Sequence, residues 1–286
     1  KALFKGDLDK VFNKLNGKDL SYNNLLDVDS AIKLISEFSD PTFAIIKHNN
    51  ACGIASSKDS LSSYLLALQA DPLSAFGGVL ISNMKIDYKT SLEVDKLFFE
   101  ILIAPEFDKQ ALDILKSKKN RIILHQKTTN IQNLSYRNIL NGVIQQDQDN
   151  IENNSKNWSL VTNTSANLDE IKDLEFANKI VKHSKSNAIV LVKNKQMISS
   201  GIGQTSRIDA LKFAIGKAKQ FKFDITGSSM ASDAFFPFPD CVEIASNVGI
   251  STIVQPGGSV KDDLSIQACN DKKIAMFFTG LRHFYH

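Results

Sequence analysis

Short apolar runs alternate with helical stretches along most of this chain, and that alternation constrains its fold more than any other feature. Residues 43–46, 79–81, 121–124, 188–193, 197–202, 251–254 and 274–278 are apolar runs of strand length. Between them, 29–38, 61–70, 91–101, 108–116, 168–182, 242–248 and 262–270 read as helices. Pro41 stops the first helix, Pro105 closes the third, and Asp71-Pro72 fits the first turn of a short one. In the helix opened by Gly201-Ile202-Gly203, the residues Ile208, Leu211, Ile215 and Ala218 fall near one face. Strands alternating with helices predict an α/β fold on a parallel sheet, where ligands gather at the carboxyl ends of strands. Residues 147–164, polar and rich in Asn and Ser, read as a linker or surface excursion between two halves. A length of 286 residues accommodates two packed units.

Composition narrows the function classes. No apolar run reaches the roughly 18 residues of a membrane span, and the first ten residues show no signal-peptide core. Three cysteines, Cys52, Cys241 and Cys269, form no paired framework, which points to a reducing compartment. No CxxC or HxxxH spacing occurs, so no metal is expected and a zinc deaminase is excluded. A net charge of +3 falls short of a nucleic-acid binder and suits a small anionic substrate.

Five segments carry candidate chemistry. Lys47-His48 at a strand end sets a cation beside an imidazole, and an ammonium favours the neutral ring that a general base needs. Residues 201–207 combine glycines, a helix start and Arg207, an arrangement that attracts an anion. Residues 233–240 make a rigid Phe-Pro turn with an acid at each end. Such a wall can hold a flat heteroaromatic ring while Asp240 accepts its N–H groups. Residues 255–259 form a glycine turn between strand and helix, and residues 280–286 set Arg282, aromatics and two histidines after the last strand. His125 and His183 stand alone and read as structural or surface residues. Each segment also has a plain reading as a surface pair, turn, core plug or frayed tail. Together they indicate an α/β enzyme acting on a small anionic heterocycle without naming its reaction.

The strings themselves resemble a known family. Residues 21–27 read SYNNLLD, 47–53 read KHNNACG where the family has KHNNPCG, and 71–78 read DPLSAFGG. Residues 103–105, 185–190, 232–239, 255–259 and 282–284 follow in the family's order, so the likeness runs nearly the whole chain. The family is that of the AICAR transformylases, the formyltransferase domains of bifunctional purine-biosynthesis proteins. The resemblance implies two cytidine-deaminase-like three-layer α/β/α units, expected at 1–150 and 151–286. It also implies a cytoplasmic homodimer with sites at the subunit interface and 10-formyltetrahydrofolate as cosubstrate. The reaction it implies is formylation of the 5-amino group of AICAR to FAICAR, with no metal, membrane or nucleic-acid partner.

Carried over by motif, His48 is the base, Lys47 its electrostatic helper and Asn187 an orienting residue. Gly77, Glu100, Arg207 and Arg282 match positions around the nucleotide. Ile208, Phe235, Asp240, Ser259 and Val260 match positions around the folate. Three departures from the resemblance stand out: the IMP cyclohydrolase domain and the RYGxNPHQ segment that it leads one to expect ahead of Lys1 are not within these 286 residues, and residues 200–204 replace the family's GIGAGQ. Two readings therefore stay open, a working formyltransferase and a truncated ligand-binding fragment of the same family without turnover.

Overall fold

The computed structural model describes residues 4–128 and 133–286. The first half runs β1 (Phe12–Asn16), α1 (Tyr22–Ile35), β2 (Thr42–Lys47), β3 (Asn50–Ser56), α2 (Ser60–Ala70), β4 (Gly78–Ser82), α3 (Tyr88–Val94), β5 (Phe99–Ala104), α4 (Lys109–Leu115) and β6 (Ile122–Gln126). An exposed hairpin, β7 (Leu134–Ile139) and β8 (Gly142–Asp147), precedes the short strand β9 (Ser159–Leu160). The second half runs α5 (Leu168–Lys182), β10 (Ile189–Lys193), β11 (Gln196–Gly201), α6 (Arg207–Gln220), β12 (Ser229–Ser232), α7 (Asp240–Asn247), β13 (Thr252–Gln255), α8 (Asp262–Lys272) and β14 (Ala275–Phe278). Helices α1 and α5 both open on reciprocal capping boxes, Ser21 with Asn24 and Asn167 with Glu170.

Twelve strands form one continuous sheet in the order β1-β6-β5-β4-β2-β3-β11-β10-β12-β13-β14-β9. Outward from the centre the order repeats: β3-β2-β4-β5-β6-β1 on one side, β11-β10-β12-β13-β14-β9 on the other. The halves are therefore two copies of one topology, joined where β3 meets β11 antiparallel at Ala55 and Gln196. The sheet is mixed rather than parallel. Strands β4, β5 and β6 run parallel, as do β12, β13 and β14, but both central hairpins are antiparallel. Tracing the pairings across the centre sets the amino ends of β4 and β5 on the same sheet edge as the carboxyl ends of β12, β13 and β14.

Helices cover both faces. On one face α1 and α5 share a single apolar cluster, with Ile46 and Ile81 from the first half and Val190 and Val254 from the second. On the other face α2 and α4 pack on Phe43, Ile45 and Leu80, while α6 packs on Ile189, Leu191 and Met230. Successive residues of β2 and β10 thus feed opposite clusters, as the strand period of two requires. This is a three-layer α/β/α arrangement with eight helices among the described residues. None of those helices is long and apolar enough to cross a membrane.

Several expectations about elements are corrected. The helix expected over 91–101 ends at Val94, and Phe99–Ala104 is a strand between β4 and β6. A six-residue run buried on both faces carries no period that separates helix from strand. Residues 50–56 and 229–232, passed over because they are small and polar, are the buried strands β3 and β12. Residues following Asp71-Pro72 form turns rather than a helix.

Candidate active site

The first cluster stands at the end of β2. The polar break expected at 47–50 is a two-residue hairpin turn: Lys47 pairs with Asn50, and His48 and Asn49 take positive φ of 52° and 66°. Such φ values suit turns whose twist matches the strands, and Asn and His enter them more readily than most residues. Lys47 Nζ donates to the Phe76 carbonyl at 2.6 Å, while His48 is exposed. Asp27, on α1, accepts the Asn49 N–H at 2.7 Å. Burial holds the Asp27 carboxyl above its ordinary range, against the opposing pull of that N–H and of the charges on His48 and Lys47. Gly77 has φ of +69°, and a Cβ there would stand 3.4 Å from Lys47 Nζ. Glu100, near the start of β5, accepts the Asn24 side-chain amide at 3.0 Å and lies 3.6 Å from Lys18 Nζ. Because β2 is antiparallel to β4, this cluster lies at the amino ends of the parallel strands, not the carboxyl ends the sequence reading expected.

The second cluster gathers on the same sheet edge in the other half. Asn187 donates to the Gln204 carbonyl from its backbone at 3.1 Å and from its side chain at 2.9 Å, which pins the glycine loop before α6. Arg207 opens α6 under a Ser206 cap and lies 3.5 Å from Asp233, whose side chain is fully buried. Burial draws the Arg207 guanidinium below its ordinary pKa, and Asp233 opposes the shift. Its Nε is buried without a hydrogen-bond partner among the described residues. The charge of Arg282 reaches Arg207, and its guanidinium stacks 4.6 Å from the Phe284 ring centroid. The tail is tied into this site rather than frayed: Ser186 N–H donates to the Tyr285 carbonyl at 2.8 Å and His283 N–H to the Asp233 carbonyl at 2.9 Å.

The remaining predicted residues sit at the start of α6 and in the segments that follow β12 and β13. Ile208 sits in the first turn of α6 and Asp240 begins α7, where its Oδ1 accepts the Cys241 N–H at 2.8 Å. In the Phe-Pro turn, Phe236 is fully buried and serves the core, while Phe235 is half-buried and Phe238 is exposed. Ser259 N–H donates to Asp262 at 3.1 Å, and Val260 is fully exposed.

The two clusters share an edge, and Lys47 of the first meets the Gln204 loop of the second at one cavity. A cavity of about 280 Å³ between the halves is lined by Lys47 and Gln204, with Cys52 and the Asp71–Lys217 ion pair. His48, Asn187 and Arg207 are not among its lining. Burial and Asp71 push the Cys52 thiol up to about 12, which favours its protonated form. Sequence reasoning missed Asn24 and Asp27 behind the turn and the exposed pair Phe76–Phe98, whose ring centroids lie 4.9 Å apart beside Gly77. No set of three or more His, Cys, Asp or Glu side chains suited to a metal ion occurs among the described residues.

A family described as the AICARFT/IMPCHase bienzyme matches residues 2–217. The chain belongs to this family. The bifunctional purine biosynthesis protein PurH of Bacteroides thetaiotaomicron is 56% identical over 287 residues, covering 100% of this chain and 56% of that protein. The PurH proteins of Caldicellulosiruptor saccharolyticus and Buchnera aphidicola are 47% and 45% identical, over 96% and 100% of this chain. This AICARFT/IMPCHase family member spans about half the length of the curated relatives it matches, 53% to 56% in these three. A solved diaminohydroxyphosphoribosylaminopyrimidine deaminase/reductase from Thermotoga maritima matches 36% of this chain and 33% of its own at 20% identity and a TM-score of 0.25, too slight a likeness to bear on the fold.

Proposed function

We propose that this chain transfers a formyl group from 10-formyltetrahydrofolate to the 5-amino group of AICAR, giving FAICAR, in purine biosynthesis. The observation that carries this reading is the pairing, along one sheet edge of a family member, of the Lys47-His48 turn with the partly unsatisfied Arg207 beside Arg282. The acceptor amine is conjugated into an electron-poor imidazole and is a weak nucleophile. In this reading His48 takes its proton as the nitrogen attacks the formyl carbon. The new C–N bond forms and the carbonyl electrons move onto oxygen, where the Lys47 ammonium offsets the charge. The carbonyl then re-forms as the bond to the folate nitrogen breaks, and that nitrogen receives a proton. Asn187 orients the base or the carboxamide. Gly77 and Glu100 contact the nucleotide, and Arg207 and Arg282 hold its phosphate. Ile208, Phe235, Asp240, Ser259 and Val260 surround the folate.

The same reading assigns 1–150 and 151–286 as two cytidine-deaminase-like units and a homodimer as the working form. His48 is exposed and lies outside the lining of the cavity between the halves, as do Asn187 and Arg207, which suits an assembly in which one protomer's turn meets its partner's arginines. The names of the relatives call them bifunctional. We assign the second activity, an IMP cyclohydrolase, to the part of those proteins that this chain does not span.

The test is an absorbance assay of tetrahydrofolate release on mixing the chain with AICAR and 10-formyltetrahydrofolate. Turnover that His48→Ala abolishes supports the reaction and the base. Saturable AICAR binding without turnover marks a ligand-binding fragment, and neither binding nor turnover refutes the proposal.

A further inference from the structure

The internal repeat carries a second copy of the scaffold behind the Lys47-His48 turn. In the second half the turn between β10 and β11 again has two residues at positive φ, Asn194 at 55° and Lys195 at 54°. Lys193 Nζ donates to the Thr226 carbonyl at 2.7 Å, just before Gly227 at φ +73°, as Lys47 donates to Phe76 just before Gly77. Asp173 on α5 accepts the N–H groups of Asn194 at 2.7 Å and Lys195 at 2.6 Å. Asp27 and Asp173 each lie six residues beyond a capping-box N-cap, Ser21 and Asn167, and each reaches a turn N–H 22 residues downstream.

In a two-residue hairpin the N–H groups of the central residues have no partner within the ladder, so each must find one elsewhere. Both halves use a carboxylate from the same helix position, Asp27 for the Asn49 N–H and Asp173 for both central N–H groups of its turn. Only the first half has an imidazole on the turn; the second has Asn194 in its place.

We propose that Asp27 is a positioning residue for His48: by accepting the Asn49 N–H it fixes the turn to α1 and so sets where the imidazole stands. This rests on the reading of His48 as the base. Asn49 Nδ2, which donates to the Leu26 carbonyl at 3.3 Å, ties the same turn to the same helix. Asp173 supplies an internal control, because it makes the equivalent grip where no base stands.

The experiment compares Asp27→Ala, Asp27→Asn, Asp173→Ala and His48→Ala in the full chain. Misplacing a base by about 1 Å costs on the order of 100-fold, so Asp27→Ala is expected to lower kcat roughly 10- to 100-fold with KM for both substrates within about twofold. Asp27→Asn keeps an oxygen to accept the Asn49 N–H and stays within about threefold of the parent in kcat, while Asp173→Ala loses similar thermal stability with kcat unchanged. Parental kcat in Asp27→Ala, an equal loss in Asp173→Ala, or Asp27→Asn as poor as Asp27→Ala overturns the proposal. Hydrogen exchange decides it without turnover. The Asn49 amide should exchange at least about tenfold faster in Asp27→Ala than in Asp173→Ala, and unchanged protection there overturns the proposal. Parent and His48→Ala turning over alike sinks the assignment of the base instead. Loss of turnover in His48→Ala alongside full activity in Asp27→Ala sinks only the positioning role.

Discussion

The two central hairpin turns of the large sheet, 47–50 and 193–196, share backbone conformation, a lysine anchored on a carbonyl and an aspartate grip from the preceding helix. They differ in what they present. The first offers His48 beside Lys47; in the second, Asn194 is neutral and Lys193 is also paired with Asp224 at 2.9 Å. The helix following each hairpin differs in the same way. Helix α6 begins with Arg207, whereas α2 begins with Ser60 under an Asp59 cap. The comparison teaches that a duplicated scaffold supplies placement twice while the chemistry is decided by a few side chains. It also explains why the two clusters meet on one edge. The antiparallel junction of β3 and β11 turns the amino edge of one copy beside the carboxyl edge of the other.

The sharpest way to break this comparison is to exchange its chemistry. His48→Ala is expected to lower kcat by roughly 10²- to 10⁴-fold, while Asn194→Ala leaves it within about twofold. Equal losses in steady-state assays would mean the turns are not functionally distinct. Next in size is the core. Ile45→Ala and Leu191→Ala, both fully buried in matching central strands, should each lose about 2–5 kcal/mol in denaturant unfolding. Because α1 and α5 share one apolar cluster, either should appear as a single transition of the whole chain. Two separated transitions would show that the halves are independent. Smaller again, Arg207→Ala should raise KM for AICAR roughly tenfold or more, the loss of a charge-assisted contact, while Ser60→Ala leaves it unchanged.

The smallest effect tests the seam between the halves. Glu37 follows α1 and accepts from Lys182 and His183 of the other half, each at 2.9 Å. Burial alone would raise its carboxyl, but those two partners hold it down to about 2 from 4.5. A depressed carboxylate stabilises the fold above its unfolded pKa and loses that contribution as pH falls through the folded value. The parent should therefore lose roughly 1–2 kcal/mol between about pH 4.5 and 2, after discounting for partial exposure. Glu37→Gln should flatten that limb of the stability–pH curve, and an unchanged limb would show that the seam does not depend on this cluster.

Much of this was legible in the chain itself. Helix α5 spans the same residues the periodicity predicts, 168–182, because its apolar face and capping box agree. Lys47, His48, Arg207 and Arg282 were singled out by residue type beside strand and helix ends, a signal that fits structural roles as well, as Lys193 shows. Strands β3 and β12 were not, because small residues such as Gly53 and Ser229 carry no strand pattern and are buried only by their neighbours. Asp27 was invisible for another reason. Its partner lies 22 residues away on a turn, and no local spacing rule reports such a pair. Two like units were expected, but the detail of the repeat was not legible, since in its two turns what recurs is the aspartate, the lysine and the glycine rather than any long string.

The central claim is that the first turn, not its copy, carries the reaction, and one measurement tests it most directly. Tetrahydrofolate release would be followed for His48→Asn, which gives the first turn the residue of the second, beside Asn194→Ala. The account predicts turnover at least about 10²-fold below the parent in the first variant and parental turnover in the second. Turnover retained in His48→Asn would contradict it.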